Sequence, residues 1–147
     1  MADFLHRFAE GFSTLTKDNL QRLGELYSVD IHFTDPLHDV HGLPDLERYF
    51  AQLYANVEQL QFEFHGYDNV TQSEDGQAGE GYLRWVMTYR HPRLHKGEPI
   101  SVQGCSHLQW RADRVHRHHD YFDAGALLYE HLPLMGSAVT WLKRRMA

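Results

Sequence analysis

The stretch HFTDPLHDVHG, residues 32–42, combines groups that can move a proton with apolar neighbours. Asp35 precedes Pro36 and lies between Phe33 and Leu37, in a stretch more apolar than an ordinary surface loop. A carboxylate at a strand end among such side chains would be partly desolvated, which makes it a better proton acceptor near neutral pH. The alternative is that Asp35 only forms a turn before the proline. The local sequence leaves both interpretations open.

A second group of ionisable residues lies in VHRHHDYF, residues 115–122. Because side chains alternate along a strand, His116, His118 and Asp120 are expected to share one face. If that face lines a pocket, His118 and Asp120 form a pair in which the carboxylate orients the imidazole as a base. The alternatives are histidines that face solvent, or inner histidines satisfied by neighbouring groups.

Two histidines and a carboxylate could also bind a divalent ion. The candidates are His116, His118 and Asp120 on the strand, and His38 and His41 in the loop around Asp35. Strand neighbours two positions apart seldom converge on one ion without a third element. We therefore predict no metal site and no other cofactor. Cys105 has no clear activating partner and is expected to be a small buried residue.

Helices that could position these groups are predicted in the first third of the chain. Apolar residues recur at helical spacing over residues 4–15 and again over 20–27, with Thr16 as the N-cap of the second helix. After a short strand, a third helix follows Gly42 and has Pro44 near its first turn.

Strands dominate the remainder of the chain. Alternation predicts strands around residues 60–64, 83–89, 99–110 and 114–122, with turns at Asp75-Gly76 and Ala112-Asp113. Helices followed by a run of antiparallel strands indicate an α+β domain. In its strongly curved form this architecture is a cone, with the N-terminal helices packed on the concave face around a pocket.

Length, charge and cysteine content exclude several classes of protein. The 147 residues fit a single domain spanning residues 1–147, and 20 acidic against 14 basic residues argue against a nucleic-acid partner. No apolar run approaches the ~20 residues of a membrane span. A single cysteine cannot form an internal disulfide, so a cytoplasmic location is the default expectation.

The last residues, 124–147, are predicted to form a helical extension interrupted by Pro133. They are too apolar for a free tail, and three roles compete: a lid over the mouth of the cone, a dimer contact, or a helix on a membrane surface. The basic residues 143–145 are bunched at one end, which makes the membrane role the weakest. We expect packing on the chain's own body or on a partner subunit.

Three segments together resemble a known family. They are LYSVDIHFTDP (26–36), HGLPDLERYF (41–50) and HLQWRADRVHRHHDYFD (107–123). In order and spacing they are similar to the nuclear transport factor 2-like superfamily, in its ketosteroid isomerase and SnoaL-like polyketide cyclase branch. The matching positions are Tyr27, Asp35, Pro36, His41, Gly42, Tyr49, Phe50, His118 and Asp120. The resemblance extends from about residue 3 to 123.

The resemblance implies roles for both ionisable groups. Asp35 falls where the isomerases place their general base, and Asp120 where the cyclases place an aspartate that acts as acid and base. The isomerases also hold a developing oxyanion with a tyrosine and a protonated aspartate, and those positions fall at Gly11 and Ser106. Losing one such donor typically costs about 100- to 1000-fold in rate. We therefore expect no turnover of simple steroid enones at the rate of a true isomerase.

A cone of this kind would have an aromatic pocket for a small apolar or ring-containing ligand. The predicted catalytic residues are Asp35, His118 and Asp120, and the predicted ligand-binding residues are Tyr27, His38, Tyr49, Phe50, Trp85, Met87, Ser106 and Phe122. Two functions remain open: a cofactor-free isomerase, cyclase or dehydratase, and a non-catalytic ligand-binding or protein-interaction domain on the same fold. Folds of this kind usually pair through their sheet faces, so a homodimer is expected.

Overall fold

The computed structural model describes residues 3–93, 95–123 and 144–146. Its main elements are α1 (Phe4–Ser13), α2 (Leu23–Leu26), β1 (Tyr27–Thr34), β2 (Asp39–His41), α3 (Leu43–Asn56), β3 (Glu58–Gln72), β4 (Gly79–Arg90), β5 (Ile100–Arg111) and β6 (Arg114–Phe122). Short 3-10 turns lie at Leu20–Arg22 and His95–Gly97. The predicted α+β architecture, with the helices at the N-terminal end and a curved open sheet, is confirmed.

Within the described residues, the sheet has six strands in the order β2-β1-β6-β5-β4-β3. Four of its five pairings are antiparallel, as predicted, but β1 runs parallel to β6. The reason is topological: β1 and β6 are joined through α3 and the rest of the sheet, and a crossover of that length allows a parallel pair where a tight hairpin does not. The purely antiparallel sheet predicted from the sequence is therefore corrected to a mixed one.

Helix α1 begins where a polar side chain satisfies its first backbone groups. The side chain of Asp3 caps α1 by accepting a hydrogen bond from the backbone N–H of His6 at 3.0 Å. The predicted second helix is much shorter than expected. Asn19 Oδ1 accepts the backbone N–H of Thr16 at 2.6 Å, and such local bonds compete with helical ones. Tyr27, predicted at the end of this helix, is instead the first residue of β1.

The helices cover one face of the sheet and bury the core against it. Helix α1 packs on β3 and β4, while α3 packs on β1. The ring of Phe4 in α1 stacks on that of Trp110 in β5, with centroids 4.4 Å apart. The largest fully buried side chains are Trp110, Tyr27, Tyr89, Phe33, Leu5, Leu23, Ile31, Leu46, Leu83, Ile100, Leu108 and Val115. The inner face of the sheet is thus both the core and the surface on which a site can form.

The predicted helical extension lies almost entirely outside the described residues. Residues 144–146 are helical and exposed. Among the described residues, no helix is both long and apolar enough to cross a membrane.

Candidate active site on the inner face of the sheet

Strand register brings four candidate site residues to one place on the inner face. Ser106 in β5 lies directly opposite Asp120 in β6. Trp85 in β4 lies opposite Gly104, two positions before Ser106. His118, two positions before Asp120, lies on the same face because side chains alternate along a strand. His118 and Ser106 are almost completely buried, with 2% and 4% of their surfaces exposed.

These side chains form a continuous hydrogen-bonded chain. The indole Nε1–H of Trp85 donates to Ser106 Oγ at 2.8 Å, and the Ser106 hydroxyl donates to Asp120 Oδ1. The same carboxylate oxygen lies 2.6 Å from His118 Nε2. His118 Nδ1 lies 2.8 Å from the hydroxyl of Tyr27. A predicted ligand residue, Tyr27, is therefore a partner of the histidine.

The direction of these bonds follows from the donors and acceptors available. An ionised Asp120 can only accept, so His118 must carry its proton on Nε2 and donate it to the carboxylate. In a neutral imidazole, Nδ1 is then the acceptor for the Tyr27 hydroxyl. Burial, followed by the negative charge of Asp120, raises the pKa of Tyr27 well above its ordinary value. Tyr27 consequently remains protonated, and its hydroxyl is available to donate to Nδ1 of the imidazole.

A small cavity opens beside this chain of hydrogen bonds. Its volume is about 10 Å³, the space of roughly one water molecule. It is lined by Phe8, Phe12, Phe62, Phe64, Trp85, Ser106, His118 and Asp120. The four phenylalanines were not predicted as ligand-binding residues. The helical spacing of Phe8 and Phe12 and the alternation of Phe62 and Phe64 were signals that could have identified them.

Asp35 is buried and forms a turn at the same time. Its Oδ1 accepts the backbone N–H groups of Leu37 and His38, both at 2.8 Å, and lies 3.1 Å from Nδ1 of His38. Its Oδ2 accepts the hydroxyl of Tyr49. The carboxylate is only 6% exposed. Both interpretations of the sequence therefore describe part of the geometry, and both carboxylate oxygens already have partners within the protein.

Asp35 does not line the cavity that His118 and Asp120 share. The ring of Phe33 contacts a member of each polar group, with its centroid 4.7 Å from that of His118 and 5.4 Å from that of Tyr49. Both carboxylates affect Tyr49. The pKa of its hydroxyl is raised strongly, first by burial, then by the hydrogen bond to Asp35 and by the negative charges of Asp35 and Asp120. The two groups are thus electrostatic neighbours that share a contact with one aromatic ring.

Apart from His38, the other predicted ligand-binding residues belong to the surrounding core or its edge. Phe50 and Met87 are buried, and the ring of Phe50 packs on Phe12 at 5.9 Å. Phe122 is half-buried, with its ring 6.2 Å from that of Trp85. His38 is half-exposed beside Asp35. These residues support the walls of the site and do not line the cavity itself.

His116 does not share the face of His118 and Asp120, contrary to the prediction from alternation. The pairing of β5 with β6 shifts between Gln109 and Trp110, which makes a bulge at His116. A bulge adds one residue to a strand and reverses the alternation beyond it. Val115 and His118, three positions apart, are consequently both buried, while His116 lines a surface groove beside Gln109.

One group of side chains among the described residues has the composition and closeness of a metal site. It consists of His32, Asp39 and His41. From the sequence, His41 was a candidate ligand together with His38, but His38 instead bonds to Asp35. The missing information was the register of β1 against β2, which places His32 opposite His41.

The comparisons with known proteins agree with this architecture. An open curved sheet covered by N-terminal helices defines the nuclear transport factor 2-like class of proteins. Within that class, the chain belongs to the SnoaL-like domain family, whose family model matches residues 5–118. No match is found among curated proteins.

Several solved structures share the fold at low sequence identity. A Catenulispora acidiphila protein with a ketosteroid isomerase-like fold, in complex with trimethylamine, is 15% identical, covers 89% of this chain and 93% of its own, and has a TM-score of 0.69. A candidate polyketide cyclase of Acidithiobacillus ferrooxidans is 12% identical, with coverages of 89% and 96% and a TM-score of 0.67. An LEH-like epoxide hydrolase of M. tuberculosis is 14% identical, with coverages of 93% and 96% and a TM-score of 0.64. At these identities the likeness establishes the fold alone.

Proposed function

We propose that this protein is a cofactor-independent acid–base catalyst that moves a proton on a carbon next to a carbonyl group. Asp120 is the proton acceptor, oriented by His118 and Ser106. The observation that carries the proposal is the buried, hydrogen-bonded group of these three side chains at an aromatic cavity. A histidine and an aspartate placed together in a hydrophobic core are costly unless they are paired, and core packing alone does not require them.

The hydrogen bonds leave one oxygen of Asp120 for a substrate. Oδ1 accepts hydrogen bonds from both Ser106 and His118. Among residues 3–93 and 95–123, no group forms a hydrogen bond with Oδ2. In the proposed step, the substrate C–H bond breaks, the proton binds Oδ2, and the electron pair moves onto the carbonyl oxygen as an enolate. If the substrate carries a β,γ C=C bond, the carbonyl re-forms, the double bond moves into conjugation, and return of the proton from Oδ2 to the γ-carbon completes an isomerisation. Asp35 is less suited to this step because both of its oxygens are already bonded.

The cavity walls indicate the class of substrate. Four phenylalanine rings and the indole of Trp85 surround the polar group, which suits an apolar or ring-containing molecule. A cavity of about 10 Å³ cannot hold such a molecule unless side chains move. Phe62 and Phe64 are half-buried and lie on β3, which is an edge strand of the sheet. Rotation of their rings is therefore the simplest way to open the site. The wider set of ligand-binding residues predicted from sequence, and a cytoplasmic homodimer, remain part of this proposal.

Related structures support an enzyme more than a passive binding domain. Their names include a candidate polyketide cyclase and an epoxide hydrolase, so this fold carries catalytic sites in other proteins. Neither substrate is transferred to this chain. The absence of an acidic side chain at Gly11 and at Ser106 keeps the expectation that simple steroid enones are not isomerised at the rate of a true isomerase.

The first prediction concerns proton abstraction and needs no knowledge of the product. The protein should catalyse exchange of deuterium from D2O into the α-carbon of a ring-containing ketone such as 2-tetralone, followed by proton NMR. Asp120→Asn should reduce this exchange by at least about 100-fold, the usual contribution of one acid–base group. Asp35→Asn should reduce it less, because Asp35 does not line the cavity and both of its oxygens are bonded within the protein.

The matched control is Asp68→Asn. Asp68 lies on β3, is exposed and pairs with Arg84 at 3.3 Å, so its loss should leave the exchange rate unchanged. Equal exchange by wild-type protein and Asp120→Asn would contradict the catalytic role of Asp120. Binding of the ketone with no exchange above the buffer rate would favour the non-catalytic alternative.

A further inference from the structure

The hairpin of β1 and β2 gathers two histidines and an aspartate on one face. His32 pairs directly with His41, and Thr34 pairs directly with Asp39. Because both pairs are two positions apart on their strands, all four side chains project from the same face of the hairpin. This face is at the edge of the sheet and does not include the His118–Asp120 group.

The ligand atoms of this group already converge. His32 Nε2 lies 2.5 Å from Asp39 Oδ1, and His41 Nε2 lies 3.1 Å from Asp39 Oδ2. The two imidazole rings stack with centroids 4.1 Å apart and planes inclined by 16°. One nitrogen from each histidine and one carboxylate oxygen all lie within 4.8 Å of one another. The three side chains therefore face a single point in space.

We propose that His32, Asp39 and His41 bind one divalent transition-metal ion of the zinc, copper or nickel type. Imidazole and carboxylate ligands suit these ions. With metal–ligand bonds of about 2.0–2.2 Å, tetrahedral ligands are separated by about 3.3 Å. The 2.5 Å distance between His32 and Asp39 needs to widen by less than about 1 Å to reach that value, and the other separations, which are at most 4.8 Å, need to change by at most about 1.5 Å. Small side-chain rotations are sufficient, and the ion takes the place of the protons now shared with Asp39.

The surroundings distinguish this group from a chance set of surface hydrogen bonds. Backbone pairing fixes the spacing of the two histidines, so little ordering is required when an ion binds. The hydroxyl of Thr34 donates to Asp39 Oδ1 at 2.8 Å, which is the kind of outer contact that orients a metal-bound carboxylate. The side chains of Asp39 and His41 are 58% and 68% exposed, so an ion has access from solvent and can retain water ligands.

The position of the site gives the ion a structural consequence. The turn that holds Asp35 connects the end of β1 to the start of β2. An ion bound by residues on both strands would fasten the two sides of that turn together. The proposal does not depend on the catalytic proposal, because none of its three ligands belongs to the cavity of His118 and Asp120.

Calorimetric titration of the chelator-treated full chain with zinc chloride tests the site. Wild-type protein should bind one ion at this site, and His41→Ala or His32→Ala should weaken that event by more than about 100-fold, beyond the 10- to 100-fold typical of outer contacts. Thr34→Val should weaken it by about 10-fold with all three ligands present. Asp39→Asn, which preserves the shape of the side chain, should also weaken it.

The matched control is His6→Ala. His6 is exposed and bonds to Asp3 at 2.7 Å. Among the described residues, this pair is not part of any group of three side chains that could bind a metal ion. Its loss should leave the affinity unchanged. Copper(II) bound at the site should show two imidazole nitrogens in its electron paramagnetic resonance spectrum. Absence of zinc binding, or equal affinity in wild-type protein and the folded His32 and His41 variants, would overturn the proposal.

Discussion

At the scale of residues, the two candidate aspartates, Asp35 and Asp120, have different hydrogen-bond partners. Asp35 receives two backbone N–H groups and the hydroxyl of Tyr49, so both of its oxygens serve the protein itself. Asp120 concentrates its partners, Ser106 and His118, on one oxygen. The distribution of donors, and not burial alone, makes Asp120 the better candidate for proton transfer.

Cys105 offers a chemical measurement of the charge on Asp120. It lies on the outer face, where burial, followed by the charge of Asp120, raises the pKa of the thiol, and Arg84 acts in the opposite direction. A raised pKa means less thiolate at pH 8, so we expect slower alkylation by iodoacetamide than for free cysteine. Asp120→Asn removes a negative neighbour, lowers the pKa of the thiol and should accelerate alkylation by roughly twofold or more.

Asp75→Asn is the control for this measurement, because Asp75 lies in an exposed turn and is not among the charges that act on Cys105. Its alkylation rate should match that of wild-type protein. An unchanged or slower rate in Asp120→Asn would show that Asp120 is not a negative neighbour of the thiol.

At the scale of elements, the site depends on the close approach of β4 and β5. Trp85 and Gly104 are direct partners, and the indole of Trp85 lies across the position where a side chain of residue 104 would be. A Cβ atom at Gly104 would lie 2.2 Å from the Trp85 ring. The glycine therefore allows the indole to reach Ser106 and donate to it.

Gly104→Ala should displace the indole and break its hydrogen bond to Ser106. We expect a loss of about 1–3 kcal/mol in the free energy of unfolding, the usual cost of overpacking a core. Urea denaturation measures the loss, and tryptophan fluorescence should report the displaced indole. The control is Gly24→Ala in α2, where the nearest atom, in Leu43, would be 3.6 Å from the new Cβ.

Gly24→Ala should leave stability unchanged or raise it by up to about 1 kcal/mol, because alanine has less freedom in the unfolded chain. A Gly104→Ala variant as stable as wild-type protein, with unchanged fluorescence, would contradict the close contact between residue 104 and the Trp85 ring.

At the scale of the whole molecule, two features could contact a partner: the outer face of the open sheet and the C-terminal segment of the chain. The outer face presents aromatic side chains, including Tyr82 and Tyr121, which are 36% and 52% exposed. Most of residues 124–147 lie outside the described part of the chain. Their sequence contains many apolar residues, among them Leu132, Leu134 and Trp141. The expectation that they pack on the protein or on a second subunit remains a prediction.

Deleting residues 132–147 should therefore expose apolar surface. We expect aggregation or loss of a dimer, measured by size-exclusion chromatography with light scattering at several protein concentrations. A shorter deletion of residues 145–147 removes little apolar surface and is the control. A truncated protein that stays as soluble and stable as the full chain, and only loses affinity for lipid vesicles, would support the membrane-surface role instead.

The local patterns of the sequence determined the order of helices and strands and the polar residues of the site. Alternation in β5 and β6 placed Ser106, His118 and Asp120 on strands, and the segments around Asp35 and Asp120 indicated the family that the comparisons confirm. These features could be predicted because each depends on residues within about one element of one another.

Only the tertiary structure decided how those elements meet. The parallel pairing of β1 with β6 and the bulge at His116 depend on contacts between strands far apart in sequence. So do the hydrogen bond from Tyr49 to Asp35 and the meeting of His32 with His41. A pattern along one strand shows which side chains alternate, but the register against a neighbouring strand decides which of them come within bonding distance.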